Sequence, residues 1–264
     1  MRRSSRLAAV LVLLAAAAAD AAGNVTVSRM GRRLLVQGDG ADNGLMLESA
    51  GGGAVVVTGT DGTTVNGGAA VTAERVRGIR IDTGDGADTV GIHDVTVRGT
   101  LRVFLGDGND AVLLEDAFVA GALFIRGRQG RDDIGITRTT VNSDVSIRGS
   151  TGASNVTFDG VTLGRRLRIT TGPGRDRVSL FDIDAHRADR VRLLTGDGPD
   201  ELRIELASFD DRVDAHLGDG DDFLIVSDVF FDDGAHLDGD HGHDDALVGL
   251  VFAPAGEDVD FDGF

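Results

Sequence analysis

The chain has no cysteine, lysine, tryptophan or tyrosine, and only 3 prolines in 264 residues. Without cysteine there is no disulfide framework, no thiolate metal site and no lipid-modified thiol. Without lysine the basic side chains are all arginine, 26 of them against 43 Asp and Glu, for a formal net charge of −17. A chain this acidic is not drawn to nucleic acid or to anionic membrane surfaces, and it is suited to cations. The 3.6-residue periodicity of an amphipathic helix is missing throughout. So are a Ser-His-Asp arrangement, a Gly-Lys-Thr loop and a His-Glu-x-x-His motif, and no enzyme activity is expected.

The longest apolar run, Leu7 to Ala19, has 13 residues, short of the ~20 that span a bilayer. It follows Arg2, Arg3 and Arg6 and leads into small residues, with Ala17-Ala18-Ala19 or Ala19-Asp20-Ala21 as cleavage sites. That is the order of a secretory signal peptide; an uncleaved N-terminal anchor is the alternative. Residues 1–21 are thus expected to be a signal peptide. The mature chain is expected to have no membrane span and to be secreted, whether extracellular, at the cell surface or in the periplasm.

Glycine is plentiful, 39 of 264, and it is periodic. A turn signal begins at Gly38, Gly59, Gly84, Gly106, Gly127, Gly149, Gly172, Gly196, Gly218 and Gly239, at intervals of 21 to 25 residues. Each signal lies between segments with apolar residues at every second position, such as Leu101/Val103 before and Val112/Leu114 after. A looser third segment follows, as in Val95/Val97, Val161/Leu163 and Val229/Phe231. A period of 2 is the strand period. One repeat of ~22 residues cannot bury its apolar face alone, whereas equivalent coils stacked about 4.8 Å apart can.

The expected fold is all-β, a right-handed parallel β-helix (solenoid) with coils of about three short strands; right-handed because parallel crossovers nearly always are. A β-sandwich also has short strands at this spacing, but gives no reason for one turn motif to recur ten times. Residues 22–78, with weaker turn signals and Gly51-Gly52-Gly53, are expected to form an N-terminal cap and first coils. Residues 79–249 are the regular repeats, and 250–264 a C-terminal cap or partial coil.

The best turns read Gly84-Asp85-Gly86-Ala87-Asp88, Gly106-Asp107-Gly108-Asn109-Asp110, Gly196-Asp197-Gly198-Pro199-Asp200 and Gly218-Asp219-Gly220-Asp221-Asp222. Gly172, Gly174, Asp176 and Val178 match at the same spacing. This pattern resembles the core of the RTX (haemolysin-type) calcium-binding nonapeptide of secreted bacterial repeat proteins, with one motif per coil of ~22 residues in place of tandem copies. The resemblance implies calcium held between carboxylates and turn carbonyls of successive coils.

The residues alone support the same chemistry. Stacked carboxylates about 5 Å apart repel unless a cation or proton neutralises them, and calcium takes six to eight oxygen ligands in flexible geometry. The candidate Ca2+ ligands are Asp85, Asp88, Asp107 and Asp110, then Asp197, Asp200, Asp219 and Asp222, joined by Asp240, Asp244 and Asp245. The middle turns lack the first Asp, and Arg131 stands beside Asp132 as a substitute for a metal, so no continuous ion ladder is expected. The bland alternative is that Asp and Gly are simply good turn residues.

Two further constellations stand out. Asp240-His241-Gly242-His243-Asp244-Asp245, with His216 and His236 stacking nearby, mixes ligand types that suit a transition metal, but at no recognised zinc spacing. Arg80, Arg102, Arg168 and Arg192 fall in one outward column, which would suit an acidic polysaccharide at the cell surface or outside the cell. The reading is a structural solenoid with calcium at its Gly-Asp turns; the alternative is an acidic-polysaccharide-binding or lyase-like β-helix using the Arg column.

Overall fold

The computed structural model describes residues 23–264; the expected signal peptide, residues 1–21, lies outside the described residues. The chain forms a parallel β-solenoid of about 8 turns with coils of ~22 residues. Each coil visits three faces. The first face comprises strands such as Leu101–Asp107 and Leu123–Gln129, and the second strands such as Ala111–Glu115 and Asp132–Thr137. The third has short strands such as Phe118–Val119 and Thr140–Val141. Among the described residues there is no helix.

The alternation seen in the sequence becomes stacking in register. On the first face Val103 pairs with Ile125, Ile125 with Ile147, Ile147 with Ile169, and Ile169 with Leu193. On the second, Val90, Val112, Ile134, Val156, Val178, Leu202 and Leu224 form one column. On the third, Phe209 stacks on Phe231 with ring centroids 5.7 Å apart. All these side chains are buried, so each coil covers the apolar edge of the next and no coil stands alone.

The corner between the second and third faces uses the left-handed conformation. It is occupied in successive coils by Asp94, Asp116, Arg138, Gly160, Asp182, Leu206 and Asp228, all with φ between 46° and 66°. Aspartate tolerates this region better than most residues, and a bulky side chain resists it. Leu206 is the misfit, with φ 53° and 49% of its surface exposed. Leu206→Gly should stabilise the protein by about 0.5–1 kcal/mol, because strain relief outweighs the added freedom of the unfolded chain. A denaturant titration of the variant against its parent checks this.

The amino-terminal part departs from parallel order. Asn24–Met30 pairs antiparallel with Arg33–Gln37, and Gly44–Gly51 pairs antiparallel with Ala54–Thr60, which pairs in turn with Ala70–Ala73. Gly59, expected as a solenoid turn, lies inside one of these strands opposite Leu45. The 45 residues between Gly38 and Gly84, expected to belong mostly to an N-terminal cap and first coils, therefore contain antiparallel insertions. At the other end Asp245–Val248, Val251–Phe252 and Val259–Asp262 continue the three faces in parallel. There Leu247, Leu250 and Phe252 are more than half exposed.

Candidate cation site in the turn column

The Gly-Asp turns join the first face to the second. Their two aspartates have opposite fates. The first, at the outward tip, is exposed at Asp85, Asp197 and Asp219 and half-buried at Asp107. Asp107 is engaged by Gln129 Nε2 (2.7 Å) and Arg128 Nε (3.4 Å), and Asp219 lies 3.4 Å from His241 Nδ1. The second aspartate stands at or one residue before the start of the next strand, two residues before an inward apolar residue, so the alternation turns it inward as well. Asp88, Asp110, Asp132, Asp176, Asp200 and Asp222 are each no more than 3% exposed.

These six carboxylates form a column along the solenoid axis, and each caps its neighbour. The backbone N–H of Asp88 donates to Asp110 Oδ1 (2.8 Å), that of Asp110 to Asp132 Oδ1 (3.3 Å), and that of Asp176 to Asp200 Oδ1 (2.7 Å). Asp200 N–H donates to Asp222 Oδ1 (2.7 Å), and Asp222 N–H to Asp244 Oδ1 (2.8 Å). Asn43 opens the column by donating its N–H to Asp88 Oδ1 (2.7 Å). Ser154 replaces one carboxylate, and its N–H donates to Asp176 Oδ1; at that step Asp132 N–H turns to the Ala153 carbonyl (3.2 Å).

One oxygen of each carboxylate is thus employed, while the other is buried without a partner. Oδ2 of Asp88, Asp110, Asp132, Asp176, Asp200, Asp222 and Asp244 accepts no hydrogen bond. Thr83, Thr171 and Thr195 donate their hydroxyls to backbone carbonyls of the following coil (2.6–2.8 Å), and they lie close enough to Asp88, Asp176 and Asp200 to favour the anion without cancelling the effect of burial. Arg131 does not neutralise Asp132, contrary to expectation: Asp132 is fully buried and has no ion pair among the described residues. The Arg131 N–H instead donates to Asn109 Oδ1 (2.8 Å), at the outward side of the turn.

Burial leads the electrostatics. It pushes the carboxyls of Asp110 and Asp200 up to about 7 and those of Asp132 and Asp222 up to about 6, against hydrogen bonds that favour the anion. Neighbouring carboxylates add to the rise; Asp132 and Asp88 both act on Asp110. Asp88 and Asp176 are also raised, again mainly by burial. The column therefore calls for a proton or a cation at neutral pH.

Glycine makes room for it. A Cβ on Gly127 would fall on Oδ2 of Asp132, and one on Gly239 would crowd Oδ2 of Asp244. The first glycine of the turn is needed where the aspartate folds back beneath it. The glycine carbonyls form companion columns: the α-carbon of Gly106 packs on the Gly84 carbonyl, Gly108 on Gly86, Gly198 on Gly174 and Gly218 on Gly196. Inward carboxylate oxygens and stacked carbonyls are ligand types that a hard cation takes.

Of the eleven Asp residues read as candidate calcium ligands from sequence, the structure thus brings Asp88 and Asp110, and Asp200 and Asp222, into the buried column, with the half-buried Asp244 at its end, and leaves Asp240 and Asp245 exposed. It leaves Asp85, Asp107, Asp197 and Asp219 on the outer tips. Asp132 and Asp176 join the buried set. The sequence signal for them is parity: Asp132, Ile134 and Ile136 share one face, as do Asp176, Val178 and Leu180.

The arginine column also exists, with interruptions. Arg80 pairs with Arg102 and Arg168 with Arg192, while Phe124, Ser146 and Asp214 complete the same row. Arg80 lies over the Phe104 ring at 4.2 Å and bonds Asp82 at 2.9 Å; Arg102 lies over Phe124 at 5.1 Å. Arg192 faces Asp214 at 3.4 Å.

Comparison with protein-family models, with curated proteins and with solved structures found no match.

Proposed function

We propose that the protein is an exported structural solenoid whose buried aspartate column takes up calcium. The observation that carries this reading is the row of six buried carboxylates, each with an unpartnered oxygen. Left anionic and bare, such a row is strongly unfavourable in a low-dielectric interior. The N-terminal leader pattern supports export, and the likeness of the turns to RTX repeats supports calcium over other hard cations. Residues 88–132 and 176–244 would hold the ions, with Ser154 dividing the two stretches.

An ion bound only by the folded state stabilises it by mass action, about 2.7 kcal/mol per independent site at one hundred times its dissociation constant. Thermal melts at pH 8 in EDTA, calcium or magnesium test this. Calcium is expected to raise the melting temperature more than magnesium. Asp88→Asn with Asp110→Asn, and Asp200→Asn with Asp222→Asn, should each shrink the rise. A calcium response unchanged in both double variants would remove the column as the site.

An acidic polysaccharide surface is the second reading, favoured by a specific observation. Among the described residues, Arg102, Arg126, Arg148 and Arg168 form no ion pair, although they share the outer side of the first face. Retention on an acidic glycan column, abolished by Arg102→Ala with Arg168→Ala, is the expected result. Passage of the parent protein through the column without retardation would dispose of it.

A further inference from the structure

The outward positions of the first face change character in the last three coils. Val213–His216, Ala235–Asp238 and Val259–Asp262 stack in parallel, so Asp214 pairs with His236 and His236 with Asp260. One column over, His216 pairs with Asp238 and Asp238 with Asp262. In the first two of these strands acid and imidazole therefore alternate both along the strand and across it, while the last strand carries acid, Asp260 and Asp262, at both outward positions. Asp238 sits at the centre of this checkerboard: its Oδ2 lies 3.6 Å from His216 Nδ1 and 3.8 Å from His236 Nε2.

The other nitrogen of each ring is also accounted for. His216 Nε2 is 3.2 Å from Asp214 Oδ1, and His236 Nδ1 is 3.9 Å from Asp260 Oδ2 and 3.8 Å from Asp262 Oδ2. Each imidazole thus turns one nitrogen to Asp238; the far nitrogen of His216 is hydrogen-bonded to Asp214, while that of His236 faces Asp260 and Asp262 at longer range. For His216 that is the outer-shell arrangement that orients a histidine ligand. Asp240 Oδ2 approaches His216 Nδ1 at 3.7 Å and offers a further oxygen. The three central side chains are only 22–29% exposed, and all three project from paired strands, which fixes their spacing.

We propose that His216, His236 and Asp238 bind a divalent transition-metal ion of the zinc, cobalt or nickel class, with Asp240 as an additional ligand. The donor atoms lie within 4.8 Å of one another. Bonds of 2.0–2.1 Å in a tetrahedral site place donors about 3.4 Å apart, so small rotations of the side chains close the site. Two imidazoles select such an ion over calcium, which prefers oxygen alone. A second group, His93 with Glu115 and Asp116, is passed over because Arg138 already occupies both carboxylates. The site lies on the outer surface of the first face and does not depend on the calcium reading of the buried column.

The test is zinc titration calorimetry on the full chain without an affinity tag, in millimolar calcium so that carboxylate sites for hard cations are filled. One zinc per chain is expected. His216→Gln and His236→Gln, which preserve polar volume, should each weaken binding at least tenfold. Asp200→Asn, in the buried column, should leave it unchanged. Cobalt added to the parent should give visible absorption of a nitrogen-ligated ion, and lose it in His236→Gln. Absence of zinc binding by the parent, or parent-like binding in both histidine variants, overturns the proposal. Far-ultraviolet dichroism confirms that each variant is folded, so a lost site is not mistaken for a lost coil.

Discussion

In EDTA, the protein should melt at progressively lower temperature as the pH is raised from 4.5 to 8. The cause is the buried aspartate column. Burial pushes Asp110 and Asp200 up to about 7 and Asp132 and Asp222 up to about 6 in the folded state, against 3.8 in an unperturbed carboxyl. A raised carboxyl binds more protons in the folded than in the unfolded chain across that interval, so stability falls with rising pH there. The stabilisation is complete below about pH 4 and is lost by about pH 7 to 8. Each tenfold change in proton affinity corresponds to about 1.4 kcal/mol. The column as a whole should therefore cost several kcal/mol at pH 8, roughly 10 °C or more in melting temperature for a domain of this size.

Calcium should restore the melting temperature at pH 8 and do little at pH 4.5, where protons occupy the same oxygens. Asp200→Asn separates charge from hydrogen bonding: the amide oxygen can still accept the Asp176 N–H, while the charge is gone. This variant should be more stable than its parent at pH 8 in EDTA, less responsive to calcium, and flatter with pH. Asp200→Ala should instead lose about 1–3 kcal/mol at pH 5, because the buried Asp176 N–H is left without its acceptor. His186, whose ring is raised by its hydrogen bond to Asp210, contributes in the same direction as the column, but from an exposed site. His186→Ala is the control for it. A melting temperature constant from pH 5 to 8, or an Asp200→Asn variant weaker than the parent at pH 8, would show that the column carries no such proton linkage.

Much of this architecture is legible in the sequence because a solenoid writes its contacts at a fixed interval. Val90, Val112 and Ile134 recur at the same place in successive repeats, and they meet in space because each coil packs on its neighbour. Less visible was the corner made by Asp94, Asp116, Arg138 and Leu206, since a left-handed residue need not be glycine and the position carries no shared chemistry. The antiparallel insertions after Gly38 were hidden for a related reason. Gly59 keeps the turn signal, yet the strand that carries it pairs backward. In the turns, sequence alone treats Asp85 and Asp88 as equal acids. Only the parity of Asp88 with Val90 and Ile92 separates an outward tip from an inward column. The same rule of alternation places His216 and His236 outward, between Ala215 and Leu217 and between Ala235 and Leu237, where their alternation with aspartate becomes a cluster only after stacking.

Gly198→Ala should be among the most destabilising single-methyl changes in the protein, and Gly256→Ala shows why. Both glycines have φ in the left-handed range, +124° and +103°, so alanine at either site is strained by about 1–2 kcal/mol. At Gly256 an added Cβ meets nothing within 4 Å, whereas at Gly198 it lands on the carbonyl oxygen of Gly174 in the preceding coil. That contact cannot be relieved by a side-chain rotation, because the obstacle is backbone. The two coils must separate locally, weakening the hydrogen bond from Asp176 N–H to Asp200 and that from Gly174 N–H to the Asp197 carbonyl. A loss of about 3 kcal/mol or more is expected for Gly198→Ala, against about 1 kcal/mol for Gly256→Ala, measured by denaturant unfolding. Since stability in a stacked array resides in the interfaces between neighbouring coils, the damage should appear as faster hydrogen exchange on both sides of residue 198. Equal losses at the two glycines would mean that φ alone explains the glycine columns. A threefold difference would show that the glycines are there to let one coil's backbone lie against the next, the same close approach that brings the aspartates into line.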